Sequence, residues 1–201
     1  MPNWCYNSME ISNPKVFKEK CVRDDEFTFD SVVPQPEHML VYNELRLESD
    51  IVKEIKENIP ENIDIKTAGK LPNELFMNRA LDYLQVKPWL DAEEQRTGVE
   101  AQGWYEWNNA NWGTKWDACQ SSLDMDELEE AIANNDSYHF EFDTAWSPPI
   151  PVLEAMAKAG VEFSWSCSEE ANFYAMEGEA SEGEFSCWEV EIEEDEDDED
   201  N

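Results

Sequence analysis

The sequence predicts an α+β fold, one antiparallel sheet with helices on one face and a helical insertion. Three observations carry this. Apolar and polar residues alternate at both ends of the chain, as in Asn3–Ile11 and Tyr138–Thr144, and a period of two marks a strand with one buried face. Segments around Phe17, Leu128 and Met156 instead space their apolar residues by three or four, which is the helical repeat. Proline and glycine punctuate the joins at Asn13-Pro14, Pro148-Pro149 and Gly160, where a chain enters or leaves regular structure.

The first strand, Asn3–Ile11, puts Cys5, Asn7, Met9 and Ile11 on one face and Trp4, Tyr6, Ser8 and Glu10 on the other. Asn13-Pro14 reads as an N-cap followed by proline in the first turn. Val16, Phe17 and Cys21 form the apolar side of that helix. Phe27, Phe29, Ser31 and Val33 alternate again and predict a second strand, stopped by Pro34-Gln-Pro36 because proline donates no ladder hydrogen bond.

The middle of the chain changes character. A helix is expected from Ser49, with Val52, Ile55 and Ile59 on one stripe and Pro60 as its stop. Ile63–Lys66 reads as a short strand or linker. Asn73 caps a further helix with Phe76, Met77, Ala80, Leu81 and Leu84 inward, ending before Pro88.

Trp104–Asp117 follows, with Trp104, Trp107, Trp112 and Trp116 among its residues. Side chains of this size bury 150–250 Å² each, so the stretch either plugs a core or walls a ligand site. Asn111 and Gly113 bracket Trp112, and both tolerate the left-handed backbone of a tight turn. Lys115 has an indole on either side in sequence, so it rests on a ring face or pairs with Asp117. As a pocket, the candidate set is Asn111, Trp112, Thr114, Lys115, Trp116, Asp117, Asp143 and Trp146.

Asp124 and Glu127 have capping-box spacing, and Leu128, Ala131 and Ile132 give the next helix a buried stripe. Tyr138, Phe140, Phe142 and Thr144 alternate with His139, Glu141 and Asp143 as a half-buried strand. Ser147 is placed to cap a helix with Pro148 in its first turn and Val152, Met156 and Ala159 on its inner face. Gly160 suits its end. Val161, Phe163, Trp165 and Cys167 alternate next. Asn172–Glu177 and Phe185–Ile192 then predict a hairpin whose turn is Gly178–Gly183.

The order strand-helix-strand, insertion, strand-helix-strand and hairpin points to a ferredoxin-like arrangement. The predicted division is 1–36 with 101–192 as the ferredoxin-like domain, 37–100 as the helical insertion, and 193–201 as a disordered acidic tail. Such an unbroken acidic run repels itself and stays solvated.

Three segments resemble the YubB-like proteins of phages and plasmids: Met-Pro-Asn-Trp-Cys-Tyr-Asn at the start, Asn-Trp-Gly-Thr-Lys-Trp-Asp-Ala from Asn111, and Phe-Asp-Thr-Ala-Trp-Ser-Pro-Pro from Phe142. The resemblance covers about residues 1–36 and 104–190. It implies a ferredoxin-like fold and a mobile-element origin, and it implies no mechanism. The acidity of the second half and the tail lie outside it.

Composition narrows the function. The chain has 201 residues, a net charge of −34, 41% hydrophobic and 12% aromatic residues, enough apolar material for a real core. From Asp117 onward there are 27 acidic residues and one basic residue, Lys158, whereas residues 1–116 carry 21 and 13. Without the ten acids of Glu189–Asn201 the net charge is still −24, so the folded part is itself acidic. Such a protein lacks the Lys and Arg needed to hold a nucleic-acid backbone, so no direct nucleic-acid binding is expected. An anionic membrane surface repels it, and basic surfaces attract it. Cys5, Cys21, Cys119, Cys167 and Cys187 form no CxxC pair, and neither a leader-like N-terminus nor an apolar membrane-length run appears. Reduced thiols in a host cell cytoplasm are the expectation.

Chemistry-bearing motifs are few. His38 and His139 fit no metal-ligand spacing, and no phosphate-cradling glycine loop, nucleophile elbow or dinucleotide fingerprint occurs. No catalytic residue, metal or cofactor is expected, and the reading leans away from an enzyme. Asp143, beside Thr144 and Trp146, is the carboxylate best placed against an apolar wall, where its pKa would rise. The expected function is binding of a basic host protein through an acidic face, as a nucleic-acid mimic that inhibits a host defence or DNA-binding protein. The candidate partner-binding residues are Glu169, Glu170, Glu177, Glu179, Glu182 and Glu184. The alternative is a small-ligand module or enzyme with its pocket at Trp104–Asp117.

Overall fold

A computed structural model describes residues 3–36, 104–171 and 173–191, with isolated helical positions between 84 and 95. The expected helices from Ser49 and Asn73, the Ile63–Lys66 segment and the 193–201 tail lie outside the described residues or largely so. Pro88 is itself helical, as are Leu84, Lys87 and Asp91, so helical structure does not stop before that proline. Lys87 and Asp91 form an i,i+4 ion pair at 2.5 Å. The chain divides into two compact units, residues 1–34 with 108–201, and residues 35–107.

In the first unit, β1 (Trp4–Ile11) leads into α1 (Pro14–Cys21), then the small β2 (Val22–Arg23) and β3 (Glu26–Phe27), and α2 (Phe29–Val32). Helix α3 (Trp104–Asn111) is followed by α4 (Met125–Asn134), β4 (Tyr138–Ala145), α5 (Ile150–Lys158), β5 (Phe163–Glu169), β6 (Ala175–Ser181) and β7 (Glu184–Val190). The main sheet has the order β4-β1-β5-β6-β7, and every neighbouring pair is antiparallel. Strands β4 and β5 flank β1, so each runs parallel to the other. Joined by α5, they form the split β-α-β unit of a ferredoxin-like fold. The architecture is α+β and ferredoxin-like.

One face of the sheet carries the core. Cys5, Met9, Ile11, Phe140, Phe142, Phe163 and Trp165 are buried there, with Phe17 of α1, Leu128 of α4 and Leu153 and Met156 of α5 beneath them. Phe140 is the hub of an aromatic cluster, with Phe17 at 5.1 Å, Phe27 at 5.2 Å and Phe142 at 5.7 Å between ring centroids. Tilted and edge-to-face rings at these distances add to the burial energy.

Several expectations are corrected. The strand expected at Phe27–Val33 stops at Phe27, the last residue of β3, and α2 follows. The Thr28 side chain accepts from Ser31 N–H and the Ser31 hydroxyl accepts from Thr28 N–H, so a capping box outcompetes the alternation. The outer edge of β4, where the second strand of a β-α-β-β-α-β unit would pair, carries the isolated bridge Cys119–Asp143. Helix α5 starts at Ile150 with Pro149 as N-cap and no side-chain cap bond; Ser147 donates instead to Gly113 O at 2.6 Å. Its inner stripe is Val152, Leu153, Met156 and Ala157, and Ala159 is exposed.

At α1, Asn13 is the N-cap residue but makes no cap bond. Its side chain bonds Gly160 O and Glu162 N–H, tying α1 to the α5–β5 loop. The C-terminal hairpin turns at Glu182-Gly183, not across Gly178–Gly183. Gly178 sits within β6 because a Cβ there would come within 2.7 Å of Ser186 O and 2.9 Å of the Phe185 ring.

Candidate functional site

The three motifs that carry the family resemblance meet in one place. Trp146 N–H donates to Asn3 O at 2.9 Å, and Asn7 donates to Thr144 Oγ1 at 3.0 Å. Thr114, fully buried, donates to Ala145 O at 2.8 Å. Gly113, at φ 79°, lies so close to Pro151 that a Cβ would approach its Cδ to 2.7 Å. Trp4 packs on Trp116 with centroids 6.1 Å apart. These motifs hold the ends of β1 and β4 to the loop after α3.

Most of the pocket candidates lie around that convergence. Trp112 is buried, donates from Nε1 to Val33 O at 2.9 Å and packs edge-on against Phe29. Asp117 accepts from Phe29 N–H at 2.5 Å and Ala118 N–H at 2.7 Å. It thus satisfies an N–H in the first turn of α2 that the helix leaves unpaired. Burial raises the pKa of its carboxyl, against the lowering effect of those N–H groups. Lys115 Nζ stands 4.9 Å over the Trp116 ring, the indole option of the two expected. Asn111 ends α3. Trp146, at φ 75° and 53% exposed, projects from the end of β4. Of this set, Asp143 lines one of the two depressions described below. The tight turn expected where Asn111 and Gly113 bracket Trp112 is there: α3 ends at Asn111 and Gly113 takes φ 79°.

The other face of the sheet is uncovered by α1, α4 or α5, and its cross-strand rows follow from the register. One row runs Glu141, Ser8, Ser166, Glu177 and Trp188; the next runs His139, Glu10, Ser164, Glu179 and Ser186; a third runs Asp143, Tyr6, Ser168, Ala175 and Val190. Serines of β5 therefore lie between acidic residues of β1 and β4 on one side and of β6 on the other. Two shallow depressions, of about 470 and 290 Å³, share Ser8, Ser166 and Glu177. No Lys or Arg occupies these rows. His139 is 3.6 Å from both Glu10 and Glu141, outward as expected. Loss of hydration and then the Glu141 charge raise the Asp143 pKa. Tyr6 is raised by loss of hydration first and then by Glu170 and Asp143.

The partner-binding candidates divide. Glu177 and Glu179 stand on this open face, Glu182 is at the hairpin turn, and Glu184 begins β7. Glu170 is exposed and accepts from Trp4 N–H at 3.2 Å. Glu169 is a correction: it is 3% exposed, and its carboxylate accepts from Asn3 Nδ2, Ala171 N–H and Phe173 N–H. Those three bonds compensate the burial of its charge and close the β5–β6 loop, so it is a structural acid.

The face residues Tyr6, Ser8, Glu10, Glu141 and Ser166 were not singled out from sequence, whereas Trp188 stands exposed as an apolar anchor would need to be. The signal was present in the alternation Phe163-Ser-Trp-Ser-Cys-Ser168, whose solvent face is all serine. Only the register shows that acids flank it. Burial raises all five thiols, Cys21 and Cys167 to about 12, which disfavours the nucleophilic thiolate. Among the described residues no group of His, Cys, Asp and Glu is arranged to hold a metal ion, and no helix is long and apolar enough to cross a membrane.

The fold and this face define an acidic, open-faced α+β protein. Residues 111–201 match the family model described as the ferredoxin-like domain in Api92-like protein, and that part of the chain is a ferredoxin-like domain. Strand β1, which lies outside the matched segment, completes its sheet. The chain is also similar to the crystal structure of a protein api92 from Yersinia pseudotuberculosis, at 11% identity over 96% of this chain and 99% of that one, with a TM-score of 0.45. No curated protein matches.

Proposed function

We propose that this is a phage or mobile-element accessory protein that binds a basic protein surface in the host cytoplasm through the open face of its sheet. One observation carries the reading: Glu10, Glu141 and Asp143 on one side and Glu177 and Glu179 on the other border a neutral serine strip, with no Lys or Arg in the rows. Adjacent strands lie about 4.8 Å apart, so Glu141 and Glu177, three strands apart, stand about 14 Å apart at the backbone. That is near the ~12 Å width of a DNA major groove between its phosphate strands. Acids two residues apart on a strand recur every ~6.8 Å, one charge per two nucleotides of a DNA strand at ~3.4 Å each. A basic groove that holds DNA would find two comparable rows of negative charge here, and the protein would compete with nucleic acid for it.

Charge supplies rate and orientation more than discrimination. Anchoring falls to the exposed aromatics Tyr6, Trp146 and Trp188, since aromatic side chains dominate interface energetics. The pocket alternative at Trp104–Asp117 draws no support from Trp112, Thr114 or Asp117, whose polar groups are bonded to backbone.

The test is capture of partners from host lysate, repeated at high salt, followed by competition with DNA or RNA for each one recovered. The reading expects the protein to displace nucleic acid, with an affinity that falls as the ~8–10 Å screening length shortens. Partners that hold their nucleic acid equally well in its presence would refute the mimic.

A further inference from the structure

Resting on that reading, we infer that the element of the partner received by the open face is an extended arginine- or lysine-rich segment, lying along β5. The shape of the face argues for this. Its floor, Ser8, Ser164, Ser166 and Ser168, is uncharged and built from small side chains. The two depressions above it join at Ser8 and Ser166 into one trough. Acids rise on both sides, Glu141 opposite Glu177 in one row and Glu10 opposite Glu179 in the next.

Extended chain matches this layout in pitch. Its side chains alternate between two sides and repeat on each every ~6.8 Å, the same repeat as acids two residues apart on a strand. Successive cationic residues would reach the two walls in turn, while the serine hydroxyls bond the segment's backbone. A helix fits less well, because its side chains radiate from a cylinder ~10–12 Å wide and repeat every ~5.4 Å. Tyr6 and Trp188, each 46% exposed, stand beside Asp143 and Glu177 in the register, where a guanidinium can lie on a ring face while it pairs with a carboxylate.

Charge excludes the other occupants. A second copy would bring the same acids, and nucleic acid or an anionic membrane would be repelled. An apolar segment would desolvate the carboxylates without pairing them, which is costly.

The experiment measures binding of a fluorescent hexa-arginine peptide by anisotropy at fixed ionic strength. Ser166→Phe fills the floor without changing charge, and Glu141→Gln with Glu177→Gln neutralises one row. Each is expected to weaken binding about tenfold or more, equal to ~1.4 kcal/mol. Glu130→Gln with Asp136→Asn removes equal charge from α4 and the residues after it, and is expected to change affinity less than about twofold. All of these positions are exposed or half-buried, and a thermal melt checks that each variant folds. Unchanged binding by Ser166→Phe, or equal losses in both charge pairs, would overturn the trough in favour of diffuse attraction. If the peptide fails to bind while a captured partner still depends on Glu141 and Glu177, the extended segment is wrong and the acidic face stands. If neither depends on them, both readings fall.

Discussion

Trp165 donates its indole N–H to the side-chain oxygen of Asn7 across 3.1 Å, joining β5 to β1 inside the core. The Asn7 amide nitrogen turns the other way, to Thr144 Oγ1 on β4 at 3.0 Å and to Cys5 O at 2.9 Å. Both residues are 2% exposed. A slip of one residue in either pairing would move Asn7 to the wrong partners and turn every core side chain of the strand outward. The polar contact thus fixes the register that brings the serine and acid rows of the opposite face together.

Replacing Asn7 by Ala should therefore be costly. It leaves the Trp165 N–H and the Thr144 hydroxyl without this partner in the interior, at about 1–3 kcal/mol for each unsatisfied group. A loss of about 3 kcal/mol is expected from urea titration, seen as a lower midpoint at constant slope. A loss below about 1 kcal/mol would mean that neither group depends on Asn7.

Trp112 separates packing from hydrogen bonding. Trp112→Phe keeps a ring against Phe29 but leaves Val33 O without its donor. A cost of about 1–3 kcal/mol follows, including the smaller ring. Trp112→Ala also opens a cavity and should cost about 3–5 kcal/mol, a large part of a typical domain's stability. Equal costs for the two variants in the same titration would show that the ring contributes nothing. A folded Trp112→Ala protein that had lost only partner binding would return this stretch to the candidate sites.

Much of this was legible in sequence, and the misses share a cause. The alternation at Trp4–Ile11, Tyr138–Thr144 and Phe163–Cys167 reported strand and buried face correctly, because period two survives wherever one face packs and the other does not. Phe27–Val33 alternates too, but its aromatics enter the core cluster from the two-residue β3 and a short helix. Local side-chain bonds of Thr28 and Ser31 overrode the pattern. Glu169 looked like its acidic neighbours, since nothing in sequence shows that Asn3 and the backbone at Ala171 and Phe173 surround it. The acid-serine-acid rows depend on pairing β1 with both β4 and β5, whose residues pair across 127 positions or more in sequence. Periodicity gives which way a side chain points but not which strand lies beside it.

Asp117 gives a pH test of the structural role assigned to it. Burial holds its pKa above the ordinary 3.8. A carboxyl raised in the folded state contributes stability that is fully present below the unfolded pKa. That contribution is lost as pH rises through the folded pKa. Asp117→Asn, which retains an oxygen to accept from Phe29 and Ala118, removes this titration. The stability difference between variant and wild type should shift toward the variant as pH rises above 3.8, then level off. Parallel stability curves for the two proteins over that range would contradict the burial of this carboxyl.

Asp143 carries the corresponding test of the proposed trough. Its pKa is raised by lost hydration and then by Glu141, and Tyr6 and Cys119 also stand beside it. A cationic segment seated in the trough favours the charged carboxylate, so the bound state has the lower pKa and binding releases a proton. Affinity for hexa-arginine should therefore climb as pH rises past 3.8 through the raised value, and flatten above it. The informative quantity is the difference between wild type and Asp143→Asn, in which contributions common to both proteins cancel. Wild type should gain affinity over the variant across this window and hold a constant advantage above it, measured by anisotropy at fixed ionic strength. An advantage that does not change with pH would place the peptide away from Asp143, toward the Glu179 end of the trough.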